Sequence, residues 1–159
     1  MKPSRQFLVA HPAHFIAFGF GAGLAKKAPG TWGTLIAVPL FFALNLLATP
    51  AITWVVIALL FVLGCWASAV ASKSLGVADH GGIVIDEIVA FMLVLACTPK
   101  TWAWMITAFV LFRFFDILKP WPISLADHHI KGGVGVMFDD VLAALFVIVC
   151  IVIMQSLII

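Results

Sequence analysis

The sequence predicts an all-α, polytopic integral membrane protein. It is a helical bundle of about five transmembrane helices with an N-terminal re-entrant or interfacial segment, in a single domain over residues 1–159. Three observations predict it. First, 64% of the 159 residues are hydrophobic, 10% are charged, and mean hydropathy is +1.20. A soluble domain carries ~25% charged residues, and a chain this short lacks the interior volume to hide so much apolar surface. Second, the 45 residues from Ala28 to Ser72 contain no formal charge. Third, prolines and glycines divide the apolar sequence into lengths near the ~20 residues that a bilayer crossing needs. High hydrophobicity excludes disorder. A net charge of +2 without a basic stripe excludes a nucleic-acid partner. Cys65, Cys97 and Cys150 are far apart in apolar runs and read as packed free thiols.

The elements follow in order. Phe7–Ala25 is apolar but holds His11, Pro12, His14, Gly19, Gly21 and Gly23, which is poor helix chemistry at both ends. Its split apolar run and the lack of a cleavage box argue against a signal peptide. The first span is expected near Thr34–Ala48, with a bend at Pro39, and the second near Ile52–Ser72 after the Thr49-Pro50 break. The third is expected over Ile83–Thr98, closed by Pro99-Lys100. The fourth runs from about Thr101 to Leu118 and stops at Pro120 and Pro122. The fifth starts at about Phe138 or Asp139 and runs to the C-terminus.

With the N-terminus inside, Lys2, Arg5, Lys26, Lys27, Lys73, Arg113, Lys119 and Lys131 fall at the cytoplasmic face and only Lys100 outside. That asymmetry satisfies the positive-inside rule. The acids Asp79, Asp86, Glu87, Asp116, Asp127, Asp139 and Asp140 fall on the same face. Helix capping accounts for an acid at a helix start, such as Asp139 or Asp79. Asp127 reads as a solvated loop charge. Asp86-Glu87 lie between apolar runs, and Asp116 near a helix C-terminus opposes the dipole. Ionisable residues inside spans are costly and usually functional.

Carboxylates gathered at one interface repel. Two charges ~5 Å apart at an effective dielectric of ~20 cost about 3 kcal/mol. An all-oxygen group of this kind calls for a hard cation, Mg²⁺ or Mn²⁺, rather than zinc. No His or Cys pair has zinc spacing, and His128-His129 are adjacent. Arg113, Asp116 and Lys119 recur every three residues along one helix face. They form either an internal ion pair or a unit in which Asp116 holds metal while Arg113 and Lys119 clamp a phosphate. Two glycine-rich stretches, 19–34 and 131–135, are expected to be loops able to approach a phosphate, with hydroxyls from Thr31 and Thr34.

The strings GFGAGLAKKAPGTWGTL, DHGGIVIDE, FRFFDILKPWPI and GGVGVMFDDVLAAL occur in this order and are spread over most of the chain, from residue 19 to residue 145. The chain resembles the phosphatidylglycerophosphatase A family. The resemblance implies a Mg²⁺-dependent lipid phosphatase of the bacterial inner (cytoplasmic) membrane, multi-pass, with its active site facing the cytoplasm. It would remove the terminal phosphate of phosphatidylglycerophosphate, its phospholipid substrate, to give phosphatidylglycerol. The family's acidic pair matches Asp86-Glu87, and its R-x-x-D-x-x-K-P-W-P motif matches Arg113, Asp116, Lys119, Pro120, Trp121 and Pro122. Its closing acid pair matches Asp139-Asp140, and its P-G-T-x-G-[ST] stretch matches Pro29, Gly30, Thr31, Gly33 and Thr34. His80 and Gly82 stand where some members carry Pro and an acid, and His80 is assigned no role.

The implied metal ligands are Asp86, Glu87, Asp116, Asp139 and Asp140. The same five acids with Arg113 and Lys119 are the expected catalytic residues, and Arg113 and Lys119 are expected to bind substrate together with Lys27, Thr31 and Thr34. Attack by water and attack by a carboxylate both satisfy this residue set. The alternative is a membrane transporter or channel using clustered interfacial carboxylates. Transport sites lie nearer the midplane and often use internal repeats, and neither feature is legible here.

Overall fold

A computed structural model describes residues 3–158, all of whose regular elements are helical. Lys2, one of the expected cytoplasmic charges, lies outside the described residues. The chain forms α1 (Arg5–Ala10), α2 (Pro12–Ala17), a 3₁₀ turn (Gly19–Leu24), α3 (Pro29–Leu47), α4 (Pro50–Leu75), α5 (Ile85–Cys97), α6 (Trp102–Leu118), α7 (Ile123–His129) and α8 (Gly132–Ile158). Three of these, α3, α4 and α8, are long and apolar enough to cross a membrane. The two other expected spans are shorter, at 13 residues for α5 and 17 for α6.

Short-range chemistry sets the ends. Pro29 and Pro50 occupy first helical positions, where the missing N–H costs nothing. Thr49 caps α4 by accepting from the Ile52 amide, and Gly76 ends it in the left-handed conformation at φ 71°. Pro39 lies inside α3.

Helix α5 is the centre of the molecule. Asp86 and the apolar residues from Ile88 to Met92 are all buried. A helix apolar on every side has no solvent face and must be wrapped by its neighbours. Here α3, α4, α6 and α8 pack around it. Around this core the large side chains point outward: Val55, Leu59 and Val62 on α4, and Val149, Val152 and Ile153 on α8, are each more than half exposed. An apolar exterior of this extent is the surface a bilayer covers.

Close packing of α4 on α8 uses small residues. Gly64, Ala67, Ser68, Ala71 and Ser72 form one buried stripe on α4. A Cβ on Gly64 would lie 2.6 Å from the Met137 Cε, and one on Gly133 would collide with the Cys65 carbonyl oxygen. Small residues at such seams let backbones approach, as membrane bundles require.

Four expectations change. The fifth helix begins at Gly132, not at Phe138 or Asp139, because Gly133 is packed into α4 and its backbone continues the helix. Asp139 and Asp140 therefore do not open α8 but lie two turns inside it, buried, and 131–135 is no phosphate loop. The first span begins at Pro29 rather than Thr34, so Pro-Gly-Thr-Trp-Gly is its first turn. Residues 7–25 are mostly helical: α1 and α2 are short helices capped by Ser4 and His11, α1 packs on α2, and α2 packs on α4. Asp127 is not a free loop charge but part of α7, bonded to Lys119. The three cysteines are unpaired and partly buried, as the sequence predicts.

Candidate active site

The site forms where four helices present one end to the same space. Asp86 and Glu87 lie in the first turn of α5, and Val84 just before it is tied to α2 by its amide on the Ala17 carbonyl, 2.9 Å. Arg113 and Asp116 lie in the last turns of α6, while Asp139 and Asp140 come from α8. The first turn of α3 closes the fourth side with Gly30 and Thr34.

Asp86, Glu87 and Asp140 each offer a carboxylate oxygen, and these oxygens lie within 4.8 Å of one another. Asp140 also lies within electrostatic reach of Asp116 and Asp139, and Asp86 within that of Asp79. Asp86 Oδ1, Glu87 Oε2, Asp139 Oδ1 and Asp140 Oδ2 are buried without a hydrogen-bond partner. A buried unpaired carboxylate oxygen is costly. Several of them around one point, on oxygen-only donors, fit a hard divalent cation.

Two basic side chains form the rim. Arg113 Nη1 donates to Asp116 Oδ2 at 2.6 Å, lies 3.7 Å from Glu87 Oε1, and reaches the Thr34 hydroxyl at 3.5 Å. Thr34 is fully buried and donates to the Gly30 carbonyl at 2.9 Å. Lys119 sits in the left-handed region at φ 41°, directly after α6. For a lysine this backbone is strained. It turns the side chain back so that Nζ bonds Asp139 Oδ2 and, at 3.0 Å, Asp127 Oδ1. Burial works against the Lys119 ammonium, but the bonds to Asp139 and Asp127 outweigh it and hold its pKa above the ordinary lysine value. Burial likewise opposes the Asp127 carboxylate, yet Lys119, His128 and Lys131 together bring its pKa below the usual aspartate value.

The structure thus brings Asp86, Glu87, Asp116, Asp139, Asp140, Arg113, Lys119 and Thr34 into one site. It divides the five expected metal ligands into two groups. Asp86, Glu87 and Asp140 form the tight triad, while Asp116 and Asp139 are bonded to Arg113 and Lys119. Thr31 is half-buried in the first turn of α3, and Lys27 is exposed two residues ahead of that helix.

Two contributors were not legible as such. Gly30 sits where a Cβ would collide with Glu87 Oε1 and lie 3.1 Å from Arg113 Nη1. Its pattern, glycine directly after a helix-opening proline, was visible; its neighbour across the bundle was not. Asp127 shares Lys119 with Asp139 and lines a cavity of about 210 Å³ with Asp79, Lys131 and Gly132.

Comparison with known proteins finds relatives over most of the chain. A family model described as Phosphatidylglycerophosphatase A matches residues 15–155. A Haemophilus influenzae protein named Phosphatidylglycerophosphatase A is 44% identical over 155 residues, covering 97% of this chain and 95% of the relative. An Escherichia coli protein of the same name is 38% identical over 136 residues, covering 85% and 78%. A Bacteroides thetaiotaomicron protein named Putative phosphatidylinositol-3-phosphatase is 41% identical over 138 residues, covering 82% and 86%. No solved structure matches significantly.

Proposed function

The chain belongs to the phosphatidylglycerophosphatase A family, and from that premise we propose a site and a mechanism for its activity. It is a phosphatase that removes the terminal phosphate of phosphatidylglycerophosphate, leaving phosphatidylglycerol. The transport alternative lapses with the family assignment. The observation that carries the mechanistic reading is the meeting of Asp86, Glu87 and Asp140 beside Arg113 at one end of an apolar bundle.

Asp86, Glu87 and Asp140 would hold a divalent cation, Mg²⁺ in this reading. When bound, such an ion adds positive charge beside the phosphoryl oxygens and acidifies a nearby water. Asp116 fixes the guanidinium of Arg113, whose remaining N–H groups are the donors for the phosphate; a planar fork suits that geometry. Thr34 supports Arg113 from the opposite helix. Asp139 and Asp127 hold the Lys119 ammonium at the rim as a second fixed charge. Preorganised charge of this kind is usually the largest catalytic contribution. Thr31 and Lys27 complete the substrate contacts at the outer edge. A water oxygen bonds to phosphorus, directly or after a carboxylate has first taken the phosphoryl group, as the bond to the glycerol oxygen breaks; one proton of that water balances the proton taken up by the glycerol oxygen, and the products are phosphatidylglycerol and inorganic phosphate.

We read α5 and α6 as two further crossings, giving five. At 1.5 Å per residue they span about 20 and 26 Å, short of a ~30 Å hydrocarbon core. Local thinning accommodates the difference, and α5 is surrounded by protein rather than lipid. The basic residues Lys26, Lys27, Lys73, Lys119 and Lys131 flank the acidic end of the bundle and Lys100 the other. On the positive-inside rule the site faces the cytoplasm from the bacterial inner membrane. Residues 5–24 then lie in the inner interface beside it.

The test is phosphate release by the purified protein in lipid micelles. EDTA should abolish turnover and added Mg²⁺ restore it, and Asp86→Asn and Asp140→Asn should each remove at least ~100-fold of kcat while the protein still inserts. Turnover insensitive to EDTA sinks the cation. Phosphatidylinositol 3-phosphate belongs in the same assay, given the Bacteroides relative's name; a preference for it overturns the headgroup assignment.

A further inference from the structure

An apolar groove of about 440 Å³ runs along the outside of the bundle between α4, α5 and α8. Trp54, Ala58 and Val62 line it from α4, Val89 and Leu93 from α5, and Val141 from α8, with no charged residue among its walls. On α5, Asp86, Val89 and Leu93 are three and four residues apart, so they share one helix face. The groove therefore lies on the side of α5 that carries a carboxylate of the triad. On α8 its lining residues Phe138 and Val141 bracket Asp139 and Asp140 in sequence. Toward the acidic end the seam tightens, where Met137 packs onto Gly64 with Ile85 alongside. From Val62 to Trp54 the α4 wall extends about 12 Å at 1.5 Å per residue.

We propose that this groove receives one acyl chain of the phospholipid substrate and so sets how far the headgroup reaches toward Asp86 and Asp140. The inference rests on the lipid-phosphatase reading above. The occupant is hydrocarbon because the walls are wholly apolar and the flanking side chains are open to the bilayer: Val62 is 66% exposed and Trp54 45%. It is the substrate's own chain because the groove and the reacting carboxylates share the same helices and the same α5 face. A second groove, about 330 Å³ between α3, α5 and α6, meets α5 at Phe91. Phe91 is five residues from Asp86, about 140° round the helix, so that groove does not lead to the same carboxylate.

The experiment uses the full chain in mixed micelles with two substrates, a long-chain phosphatidylglycerophosphate and its dibutyryl homologue. Ala58→Trp fills the groove. Leu59→Trp, one residue along on a side chain that does not line it, is the control. Ala58→Trp should lower kcat/KM for the long-chain substrate by about tenfold, chiefly through KM, the effect of losing roughly two methylenes of burial. It should leave the dibutyryl homologue within about twofold of wild type, and Leu59→Trp should leave both substrates so. If Ala58→Trp depresses both substrates equally, Ala58→Phe is measured as a smaller obstruction. Equal loss there too, or no loss with either variant, overturns the proposal. Wild-type protein that turns over neither substrate refutes the phosphatase reading instead, an outcome separate from any effect of the groove variants.

Discussion

Replacing Gly30 by alanine isolates the tightest contact in the site. In an ordinary helix this exchange stabilises by about 0.5–1 kcal/mol, because alanine loses less backbone freedom. At residue 30 the sign should reverse. The added methyl would collide with Glu87 Oε1 and lie 3.1 Å from both Glu87 Cδ and Arg113 Nη1. The α3 backbone cannot easily yield, since Thr34 bonds the Gly30 carbonyl and Gly33 is packed on Val84. Glu87 must therefore move, and with it the guanidinium 3.7 Å away. Overpacking of this type costs about 1–3 kcal/mol, and a displacement of about 1 Å at a reacting centre costs about 100-fold in rate. The assay pairs phosphate release with thermal unfolding of the detergent-solubilised protein. Gly30→Ala should lose about 100-fold in kcat with a small change in Tm. Gly81→Ala, where a Cβ meets nothing within 4 Å, is the control and should change neither. Full activity in Gly30→Ala would show that Glu87 is not held where the reaction needs it.

Two further predictions concern Lys119. Lys119→Met strands the Asp139 carboxylate, whose side chain is only 5% exposed, so breaking this buried pair should destabilise by about 3–5 kcal/mol. Asp127→Asn removes the more exposed partner and should cost at most about 1 kcal/mol, since exposed pairs contribute little. Chemical unfolding of both variants checks the ordering, and equal losses would contradict it. The second prediction is a pH dependence. Because its folded pKa is lowered, Asp127 contributes stability above its unfolded pKa of about 3.9 and loses that contribution as pH falls through the folded value. The stability gap between wild type and Asp127→Asn should therefore shrink as pH is lowered from 6 through about 4 and below. A gap that widens on acidification would refute the assignment.

The charge arrangement explains why the rim and the triad are distinct. Among the described residues, the ion pairs made by the six carboxylates of Asp86, Glu87, Asp116, Asp127, Asp139 and Asp140 involve two basic side chains, Arg113 and Lys119. Each cation meets two acids, Arg113 with Asp116 and, at 3.7 Å, Glu87, and Lys119 with Asp127 and Asp139. Asp86 and Asp140 stay without a basic partner among the described residues, in a group with Glu87 spanning 4.8 Å. Like charges at that spacing repel by about 3 kcal/mol per pair at an effective dielectric near 20. The apolar walls offer no further counter-charge, so the remaining negative charge is met by a bound cation or by protonation. Pairing Asp116 and Asp139 with fixed cations relieves the repulsion without neutralising the triad.

How much of this was readable in the chain depends on the range of the interaction that decides it. Composition, the uncharged run from Ala28 to Ser72 and the proline breaks act locally, and the helices α3 to α6 fall within a few residues of where those signals put them. The start of α8 was misread because Lys-Gly-Gly-Val-Gly carries strong local loop chemistry. Gly133 instead serves a contact with Cys65 that is 68 positions away in the chain, and local propensity yields to that packing. Gly30 shows the same thing in the site. The sequence displays a glycine after a proline, but its reason is a glutamate on another helix. The acids were recognisable one by one, because carboxylates in apolar surroundings are costly wherever they occur. Their division into a triad and two ion pairs was not, because it turns on which oxygen faces which neighbour. Arg113, Asp116 and Lys119 look equivalent at a spacing of three, yet the left-handed turn at Lys119 sends its ammonium to α7 and α8 while Arg113 stays with Asp116. One backbone torsion at the end of α6 thus separates two positive charges that the helical repeat alone would have placed on a single face.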